Sequence, residues 1–469
     1  MQTKTKIICT MGPSVGSYEK IIELIEAGMN VARLNMSHGT YEGHRKTIQL
    51  LQKARAEKGI DLAIMLDTKG PEIRLGEIPG GALDVIASQK IYLCKEDTPE
   101  GIKVIPEIVF DFLLEGMKIL FDDGYIGATV VSKDSKGVFV EMENTGILKT
   151  HKGVNIPGVT IPLPAMTEED KEALVFGCKE RVDIVAASFV RSADHVREIK
   201  HFLAMQGRPD IAVIAKIEDR QGVENFKTIV EAADGIMVAR GDLGVELPLH
   251  EVPSLQKMMI RECYPKAKPV ITATQMLESM IYHPRPTRAE VSDVANAIYD
   301  SSSAVMLSGE TAMGLYPISV VQMMKSIIKE AEDKFLYDEF FETSSTHHLR
   351  NISFSVAKAA VKTAYNLEAK AIFALTSSGL TARVISSFRP KMPIIVLTPS
   401  QEVYYQMALT WGVIAAPPFS VDSIEEAFIY LANFAKQQKI VSAADTVVLT
   451  AGSSFGVKGS TNMLIVEKI

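Results

Sequence analysis

The strongest constraint on the fold is an alternation of short apolar, β-branched runs with amphipathic helical segments. Residues 6–11 form the first such run, and a helix follows that Ser17 caps and Gly28 ends. Further strands are predicted at residues 31–37 and 62–68. A spacing of about 30 residues per strand and helix is typical of a parallel sheet covered by helices.

The alternation is interrupted between residues 70 and 167. Helical periodicity disappears there, and turn-forming sequences such as 79–81 and 122–124 recur. Buried and exposed residue types alternate over 138–142, as in a half-buried antiparallel strand. We therefore predict an inserted all-β domain over residues 70–167.

After this insertion the strand and helix alternation resumes. Three strands before the insertion and five after it make eight, the number that closes a (β/α)8 TIM barrel. We predict an α/β protein with a catalytic barrel at residues 1–69 and 168–345, and a C-terminal α/β domain at 346–469 that follows a polar stretch at 343–350. The five later barrel strands are predicted at residues 184–189, 212–218, 235–240, 269–274 and 304–310.

Composition excludes several classes of protein. No apolar run approaches the ~18 residues of a membrane span, and the N-terminus leads directly into a strand, which argues against a signal peptide. The four cysteines lack metal-ligand spacing and fit a reducing compartment. A net charge of −7 argues against general binding to nucleic acid or anionic membranes. We therefore expect a cytoplasmic protein with no nucleic-acid or membrane partner.

Polar side chains recur where the predicted barrel strands end, which is where such barrels carry their catalytic groups. Burying so many charges at a barrel mouth without a function would be costly in desolvation. The residues are Arg33, Asn35, Ser37, Asp67, Thr68, Lys216, Glu218, Asp242, Thr274 and Glu310.

The types of these residues indicate an anionic substrate and a metal. Glu218 and Asp242 offer hard oxygen ligands that suit Mg²⁺ or Mn²⁺. Lys216 and Arg33 add positive charge, and the Gly241-Asp242 turn offers backbone N–H groups to an anion. A softer group of oxygens is a candidate monovalent-cation site, formed by Asn35, Ser37, Asp67 and Thr68.

Such a set of charges suits phosphoryl transfer. Two like charges ~4 Å apart repel by about 4 kcal/mol at an effective dielectric near 20, so joining two phosphorylated anions requires metal, Lys and Arg at the transferring group. The sequence has neither a Walker loop nor a Gly-x-Gly-x-x-Gly motif. A nucleotide must therefore be held in another way.

Several long motifs resemble, in matching order from Lys4 to the C-terminus, those of the pyruvate kinase family. They lie in residues 29–39, 66–74, 216–218, 237–244, 271–280, 284–290 and 306–311. Among them are Arg33-Leu-Asn35-Met36-Ser37-His38, Lys216-Ile-Glu218 and Arg240-Gly241-Asp242-Leu-Gly244.

The resemblance implies that phosphoenolpyruvate and ADP give pyruvate and ATP, the last step of glycolysis. It implies that Lys216 stabilises the transferring phosphoryl group and the enolate, and that Glu218 and Asp242 bind Mg²⁺ or Mn²⁺. Thr274 would lie near the point where the enolate is protonated, with water as the final donor. The implied substrate contacts are Arg33, Lys216, Gly241, Asp242 and Thr274.

The resemblance also implies sites for K⁺ and for ADP or ATP. Glu72 marks family members that need K⁺, whose ligands would be Asn35, Ser37, Asp67 and Thr68. The inserted β domain would act as a lid that excludes water. The implied nucleotide contacts are Asn35, Met36, Ser37, His38, Arg74 and, from the β domain, Lys152.

A hydroxyl-rich loop in the C-terminal region has two possible interpretations. On its own it is a helix-capping loop, whereas the resemblance implies a site for a sugar-phosphate effector. The family also implies a homotetramer. The loop consists of Thr376, Ser377, Ser378, Gly379 and Thr381.

The chain departs from the family pattern at four positions. Met36 stands where Phe is usual, Asp219 where Asn is usual, and Ser301 and Ser303 where Gly and Asp are common. None of these positions is an implied ligand of the metal or of phosphoenolpyruvate. We therefore still expect an active enzyme, whose rate or affinity these residues adjust.

Two other functions share features with this sequence. A Mg²⁺-dependent lyase that acts through a pyruvate enolate also uses a Glu and an Asp at a barrel mouth, although the inserted domain and the K⁺ ligands argue against it. A catalytically silent metabolite sensor would fit the C-terminal domain and conflicts with the intact catalytic motifs.

Overall fold

The computed structural model describes residues 3–99, 101–344, 348, 351–452 and 461–469. Its centre is a closed barrel of eight parallel strands that neighbour one another in chain order, which confirms the predicted α/β barrel. The strands are Lys6–Thr10, Val31–Asn35, Ala63–Asp67, Ile184–Ala187, Ala212–Ile217, Gly235–Ala239, Val270–Ala273 and Ala304–Leu307.

The strands end one to three residues earlier than the sequence pattern predicted. The second strand stops at Asn35, and Ser37 lies in the turn that follows, where its backbone N–H donates to Asn35 Oδ1 at 3.2 Å. The predicted strand at residues 31–37 is therefore two residues too long, and Ser37 lies beyond its end. The reason is local: the Asn35 side chain caps a turn instead of continuing the ladder.

Apolar side chains fill the barrel interior. Ile8, Met65 and Met237 are among the buried residues inside, and Ala408 and Leu409 from the C-terminal domain close the base. The carboxyl ends of the strands open at the other end, so that is where the polar residues collect.

Helices cover the outside of the barrel and present apolar faces to it. Capping boxes formed by Thr167 with Asp170 and by Thr287 with Glu290 fix two of their first turns. The helices are Tyr18–Ala27, Tyr41–Lys58, Glu168–Lys179, Ala193–Met205, Arg220–Glu224, Phe226–Ala232, Arg240–Glu246, Val252–Cys263, Arg288–Tyr299, Gly309–Ala312, Pro317–Lys334 and Tyr337–Ser344.

The inserted segment between the third and fourth barrel strands is a β domain with its own apolar core, which includes Phe121, Val138 and Val140. Its pairing is mostly antiparallel, and a single helical turn, Val109–Phe112, interrupts it. The strands are Arg74–Leu75, Ala82–Val85, Lys90–Cys94, Ile102–Ile105, Lys118–Phe121, Ile126–Lys133, Gly137–Met142, Gly146–Lys149 and Val154–Asn155.

The C-terminal domain is a five-stranded sheet with helices Ile352–Asn366, Leu380–Ser387, Gln401–Gln406 and Ile424–Gln437. The last strand pairs antiparallel and the others parallel. In spatial order the strands are Val413–Ala415, Ile394–Leu397, Ala371–Leu375, Thr446–Gly452 and Thr461–Lys468.

Part of the predicted polar stretch at 343–350 lies outside the described residues, namely 345–347 and 349–350. Within the described part of the chain, no helix has the length and apolar character needed to cross a membrane.

Candidate active site

Lys216 is the centre of a buried polar cluster at the carboxyl ends of the barrel strands. Its Nζ atom lies 3.1 Å from Asp67 Oδ1, 2.9 Å from Glu218 Oε1 and 2.7 Å from Ser188 Oγ. Only 9 % of the residue is exposed. Burial opposes the charge, but Asp67 and Glu218 outweigh it and raise the pKa of Lys216, so the ammonium stays protonated.

Asp67 joins this lysine to an arginine. Arg33 Nε donates to Asp67 Oδ2 at 2.6 Å, and Arg33 NH1 donates to Thr10 Oγ1 at 2.9 Å. Burial would raise the pKa of the fully buried Asp67, yet the charges of Arg33 and Lys216 hold it below its usual range. Asp67 thus holds two cations in fixed positions at the barrel mouth.

Glu218 and Asp242 form a pair of buried acids beside Lys216. Burial and the neighbouring Asp242 raise the pKa of Glu218 to about 7, against the opposing effect of Lys216. Burial likewise raises the pKa of Asp242. Because two neighbouring carboxylates repel each other, this site favours a species that brings positive charge to both of them.

This pair fits a Mg²⁺-type ion by its chemistry. Both groups offer hard oxygen ligands, and a bound divalent ion would favour the ionised form of both. Among the described residues, no cluster of three or more His, Cys, Asp or Glu side chains could hold a metal. An ion held by Glu218 and Asp242 would therefore complete its shell with substrate oxygens and water, as Mg²⁺ commonly does.

Thr274 lies just beyond the seventh barrel strand in a strained conformation. Its φ is 66°, which is rare for a β-branched residue, and its Oγ1 accepts from Gly241 N–H at 2.8 Å. Arg240 holds this segment because its NH2 donates to the Thr274 carbonyl at 2.7 Å. The predicted free N–H of Gly241 is thus occupied by Thr274, and an anion would have to replace that bond.

Sequence reasoning missed Ser188 and Phe189, which follow the fourth barrel strand. Ser188 Oγ donates to the Thr68 carbonyl at 2.6 Å and accepts from Lys216, and the Phe189 N–H donates to Glu218. Phe189 has a φ of 51°. Neither residue carries a charge or belongs to a motif that would have singled it out in the sequence.

A cleft of about 460 Å³ runs from the barrel mouth to the β domain. Asp242 and Phe189 lie on its barrel side. The lining residues predicted to contact a nucleotide are His38, Arg74 and Lys152.

The predicted nucleotide contacts already have partners. Lys152 Nζ lies 2.7 Å from Asp122 Oδ1, and Arg74 forms an ion pair with Glu72. Met36 packs against the barrel core, which is a structural role for the residue that stands where Phe is usual. Asn35, Met36 and Ser37 are not among the residues that line the cleft.

The predicted K⁺ ligands are only partly grouped. Asp67 is bonded to Arg33 and Lys216, and Thr68 Oγ1 accepts from the Ser188 N–H at 3.1 Å. Asn35 and Ser37 bond to each other, as described above. Glu72 lies near the cluster. Burial raises the pKa of Glu72, and the opposing effect of the Arg74 charge is weaker.

The predicted effector loop lies in the C-terminal domain, where Gly379 precedes the helix Leu380–Ser387 with a φ of 77°. Thr381 Oγ1 lies 2.6 Å from Thr461 Oγ1, so this hydroxyl is already paired. Arg383 donates to the Ser378 carbonyl at 3.2 Å. Thr376 and Ser377 belong to the same short loop.

Two of the three remaining departures from the family pattern, Asp219 and Ser303, have structural roles. Asp219 caps the helix Arg220–Glu224 by accepting from the Gly222 N–H at 2.7 Å, and burial raises its pKa. Ser301 has a φ of 75°, a conformation that favours glycine. Ser303 Oγ accepts from Arg389 of the C-terminal domain at 3.0 Å.

Sequence profiles of known families match both parts of the chain. "Pyruvate kinase, barrel domain" matches residues 2–321, and "Pyruvate kinase, alpha/beta domain" matches residues 355–467. With the buried cluster at the barrel mouth, these matches define a phosphotransferase built on a (β/α)8 barrel.

Whole-chain comparisons agree with the profiles. The chain is 46% identical to a pyruvate kinase of Chlamydia pneumoniae, with 100% of this chain and 98% of the relative covered. It is 44% identical to one of Geobacillus stearothermophilus, with 100% and 81% covered, and 43% identical to one of Clostridium acetobutylicum, with 99% of both covered. The chain belongs to the pyruvate kinase family.

Proposed function

We propose that this enzyme transfers the phosphoryl group of phosphoenolpyruvate to ADP and so forms pyruvate and ATP. The observation that supports this most is the buried cluster of Lys216, Glu218 and Asp242 at the barrel mouth, with Arg33 held beside it by Asp67. Full-length relatives named pyruvate kinase support the same reaction.

In this proposal the chain's cations neutralise the transferring group. Lys216 and Arg33 hold the phosphoryl oxygens and lower their repulsion against the incoming ADP. Lys216 also stabilises the enolate oxygen that remains after transfer. Glu218 and Asp242 are the ligands of a Mg²⁺ or Mn²⁺ ion, which supplies charge neutralisation to the phosphate and substrate oxygens.

Thr274 and the Gly241-Asp242 turn are proposed to position the substrate. The Gly241 N–H, now bonded to Thr274 Oγ1 at 2.8 Å, would turn to the substrate carboxylate. The freed Thr274 hydroxyl would then orient the water that protonates the enolate. The strained backbone of Thr274 is consistent with such a functional position.

The β domain is proposed to hold ADP and to close over the cleft. Lys152 and Arg74 are the proposed nucleotide-phosphate contacts, together with residues 35–38 of the barrel, and closure would exclude water from the phosphoryl group. Family members generally need Mg²⁺ and K⁺. We assign K⁺ to Asn35, Ser37, Asp67 and Thr68, which requires Asp67 to share its oxygens with the ion.

Cellular setting and assembly are also proposals. A glycolytic role favours the cytoplasm, and the family favours a homotetramer with a sugar-phosphate effector at Thr376, Ser377, Ser378, Gly379 and Thr381. The domain division at 1–69 with 168–345, 70–167, and 346–469 remains a prediction. Light scattering of the purified protein with and without sugar phosphates tests the assembly.

Measuring pyruvate and ATP together tests the proposed reaction. We expect equal amounts of both, and loss of both when ADP, Mg²⁺ or K⁺ is omitted. Carbon–carbon cleavage without any need for a nucleotide would instead favour the lyase alternative, which the comparisons do not favour.

A further inference from the structure

A small cavity between the base of the barrel and the C-terminal domain concentrates positive charge. Its volume is about 10 Å³, which is room for one water-sized species. Lys268 from the barrel and Arg383 and Arg389 from the C-terminal domain line it. Among the described residues, no Asp or Glu lines this cavity.

Arg389 is the most buried of the three cations, with 3 % of the residue exposed. Its NH2 donates to the Ser301 carbonyl at 2.7 Å and to Ser303 Oγ at 3.0 Å, and its NH1 donates to the Ser386 carbonyl at 2.9 Å. Its Nε is buried without a hydrogen-bond partner. All of the partners are neutral, so a buried guanidinium here lacks a counter-ion.

The other two cations also bond to neutral oxygens. Lys268 Nζ donates to the Ala233 carbonyl at 2.5 Å, and Arg383 NH2 donates to the Ser378 carbonyl at 3.2 Å. Asp234, the acid whose charge acts on both side chains, is bonded to Lys200 at 2.8 Å. Glu332, which faces Arg389, accepts from the backbone N–H of Thr5 at 2.6 Å.

Three cations around one water-sized space repel one another, and a water molecule cannot neutralise them. Burial lowers the pKa of Lys268, of Arg383 and of Arg389, which is the direction expected where charge is poorly compensated. A negative charge in this space would remove the penalty at all three side chains.

We propose that this cavity binds a chloride-sized anion that fastens the C-terminal domain to the barrel base. The cavity's small volume selects a monatomic ion over phosphate or a carboxylate. Ligands come from both domains, Lys268 on one side and Arg383 and Arg389 on the other, so the ion is part of the domain interface. This site is separate from the barrel mouth and does not depend on the proposed reaction.

Ser303 makes the proposal testable with a mild substitution. Its hydroxyl lines the cavity and already accepts from Arg389, so a carboxylate at this position would reach the same guanidinium. Ser303→Asp should therefore supply the missing negative charge from the chain itself and displace the ion. Ser303→Ala removes the hydroxyl without adding charge and is the matched control.

Trp411 provides a local signal. It is the only tryptophan of the chain, it lines the cavity, and the Arg389 guanidinium lies 4.8 Å from its ring centroid. Only 4 % of it is exposed, so collisional quenching by bromide in solution should be weak. A bromide ion bound in the cavity would instead quench the Trp411 emission in proportion to the occupancy of the site.

The experiment titrates the full-length protein with potassium bromide against potassium gluconate at constant ionic strength. We expect a saturating loss of Trp411 emission that chloride reverses, that persists in Ser303→Ala and that is absent in Ser303→Asp. A weak, linear loss that is equal in all three proteins would overturn the proposal.

Crystals of the unmodified enzyme soaked in bromide give a second measurement that does not rely on a variant. We expect an anomalous peak in the cavity between Lys268, Arg383 and Arg389. A water molecule there, with no anomalous signal, would also overturn the proposal.

Discussion

At the scale of single residues, the barrel mouth sets two cations against three acids. Lys216 and Arg33 both contact Asp67, Lys216 also contacts Glu218, and burial raises the pKa of Glu218 and Asp242. Removing one cation from this set should change turnover more than binding, because the charge it neutralises is largest during transfer.

Lys216→Met tests that expectation. We expect kcat to fall ~10²–10⁴-fold, with Mn²⁺ and phosphoenolpyruvate binding largely retained. Initial rates and a Mn²⁺ titration measure the two effects, and the exposed Lys227→Met serves as control. Near-normal turnover in Lys216→Met would remove this residue from the mechanism.

The raised pKa of Glu218 predicts that metal binding depends on pH. The pKa of Glu218 is raised to about 7 by burial and by Asp242, so below pH 7 a metal must displace a proton. Mn²⁺ affinity without substrate should therefore fall up to about tenfold per pH unit below 7 for each proton released. Electron paramagnetic resonance titrations between pH 5.5 and 8 measure this, and a flat profile would contradict it.

Sequence alone was enough to name most residues that the structure brings together at the barrel mouth. Lys216 and Glu218 stand two apart at the end of one strand, so their common direction follows from the strand period. Ser188 and Phe189 could not be predicted, because their positions depend on a positive φ at residue 189 that no sequence period encodes. The roles of all these residues remain predictions.

At the scale of elements, the β domain brings charge to the cleft from outside the barrel. Lys152 reaches the cleft just before the strand Val154–Asn155, and it is held by Asp122 in the turn beyond Lys118–Phe121. If this domain holds the nucleotide, its side chains should affect ADP and leave phosphoenolpyruvate unaffected.

Lys152→Ala separates the two substrates. We expect the KM for ADP to rise about tenfold, equivalent to ~1.4 kcal/mol, with the KM for phosphoenolpyruvate unchanged. Lys149→Ala is the matched control, because it changes an exposed lysine at the end of the preceding strand, Gly146–Lys149. Equal changes in both KM values would show that the substitution disturbs the whole domain, and they would contradict a specific contact between Lys152 and ADP.

A buried histidine joins the last barrel helix to the C-terminal domain. His348 lies within hydrogen-bond distance of the Ser344 carbonyl and of Ser387 Oγ, both at 3.0 Å, and it stacks on Phe388. Burial lowers its pKa to about 4. The imidazole is therefore neutral in the folded protein at pH values where the unfolded chain takes up a proton.

This histidine predicts a loss of stability in acid. Below about pH 6.5 only the unfolded state binds the proton, so the free energy of unfolding should fall by about 2–3 kcal/mol as pH drops to 4. Urea unfolding compares the wild type with His348→Gln, whose pH dependence in this window should be smaller. The exposed His250→Gln should behave as the wild type does.

The limits of sequence prediction are clearest at the ends of elements. Apolar periodicity placed every barrel strand but extended each too far, because polar residues such as Ser37 and Thr274 leave the ladder through turns. In the C-terminal sheet the three-residue strand Val413–Ala415 and the antiparallel strand Thr461–Lys468 were not predicted. The first is too short to show a strand period, and the second owes its direction to pairing with the preceding strand, Thr446–Gly452.

At the scale of the whole molecule, the fold separates two polar regions. The barrel mouth faces the cleft and the β domain, while Ala408 and Leu409 plug the opposite end and bring the C-terminal domain to the base. Strand count and the interruption at residues 70–167 were sufficient to predict this architecture. The contacts across the base were not predictable, because they join residues such as Arg389 and Ser303 that no local pattern connects.

A crystal structure with Mn²⁺ and oxalate, a mimic of the pyruvate enolate, tests the convergence of distant side chains on one ion most directly. We predict a single anomalous peak ligated by Glu218 and Asp242, with oxalate completing its shell and Lys216 beside it. A metal bound elsewhere, with neither Glu218 nor Asp242 among its ligands, would contradict the proposed active site.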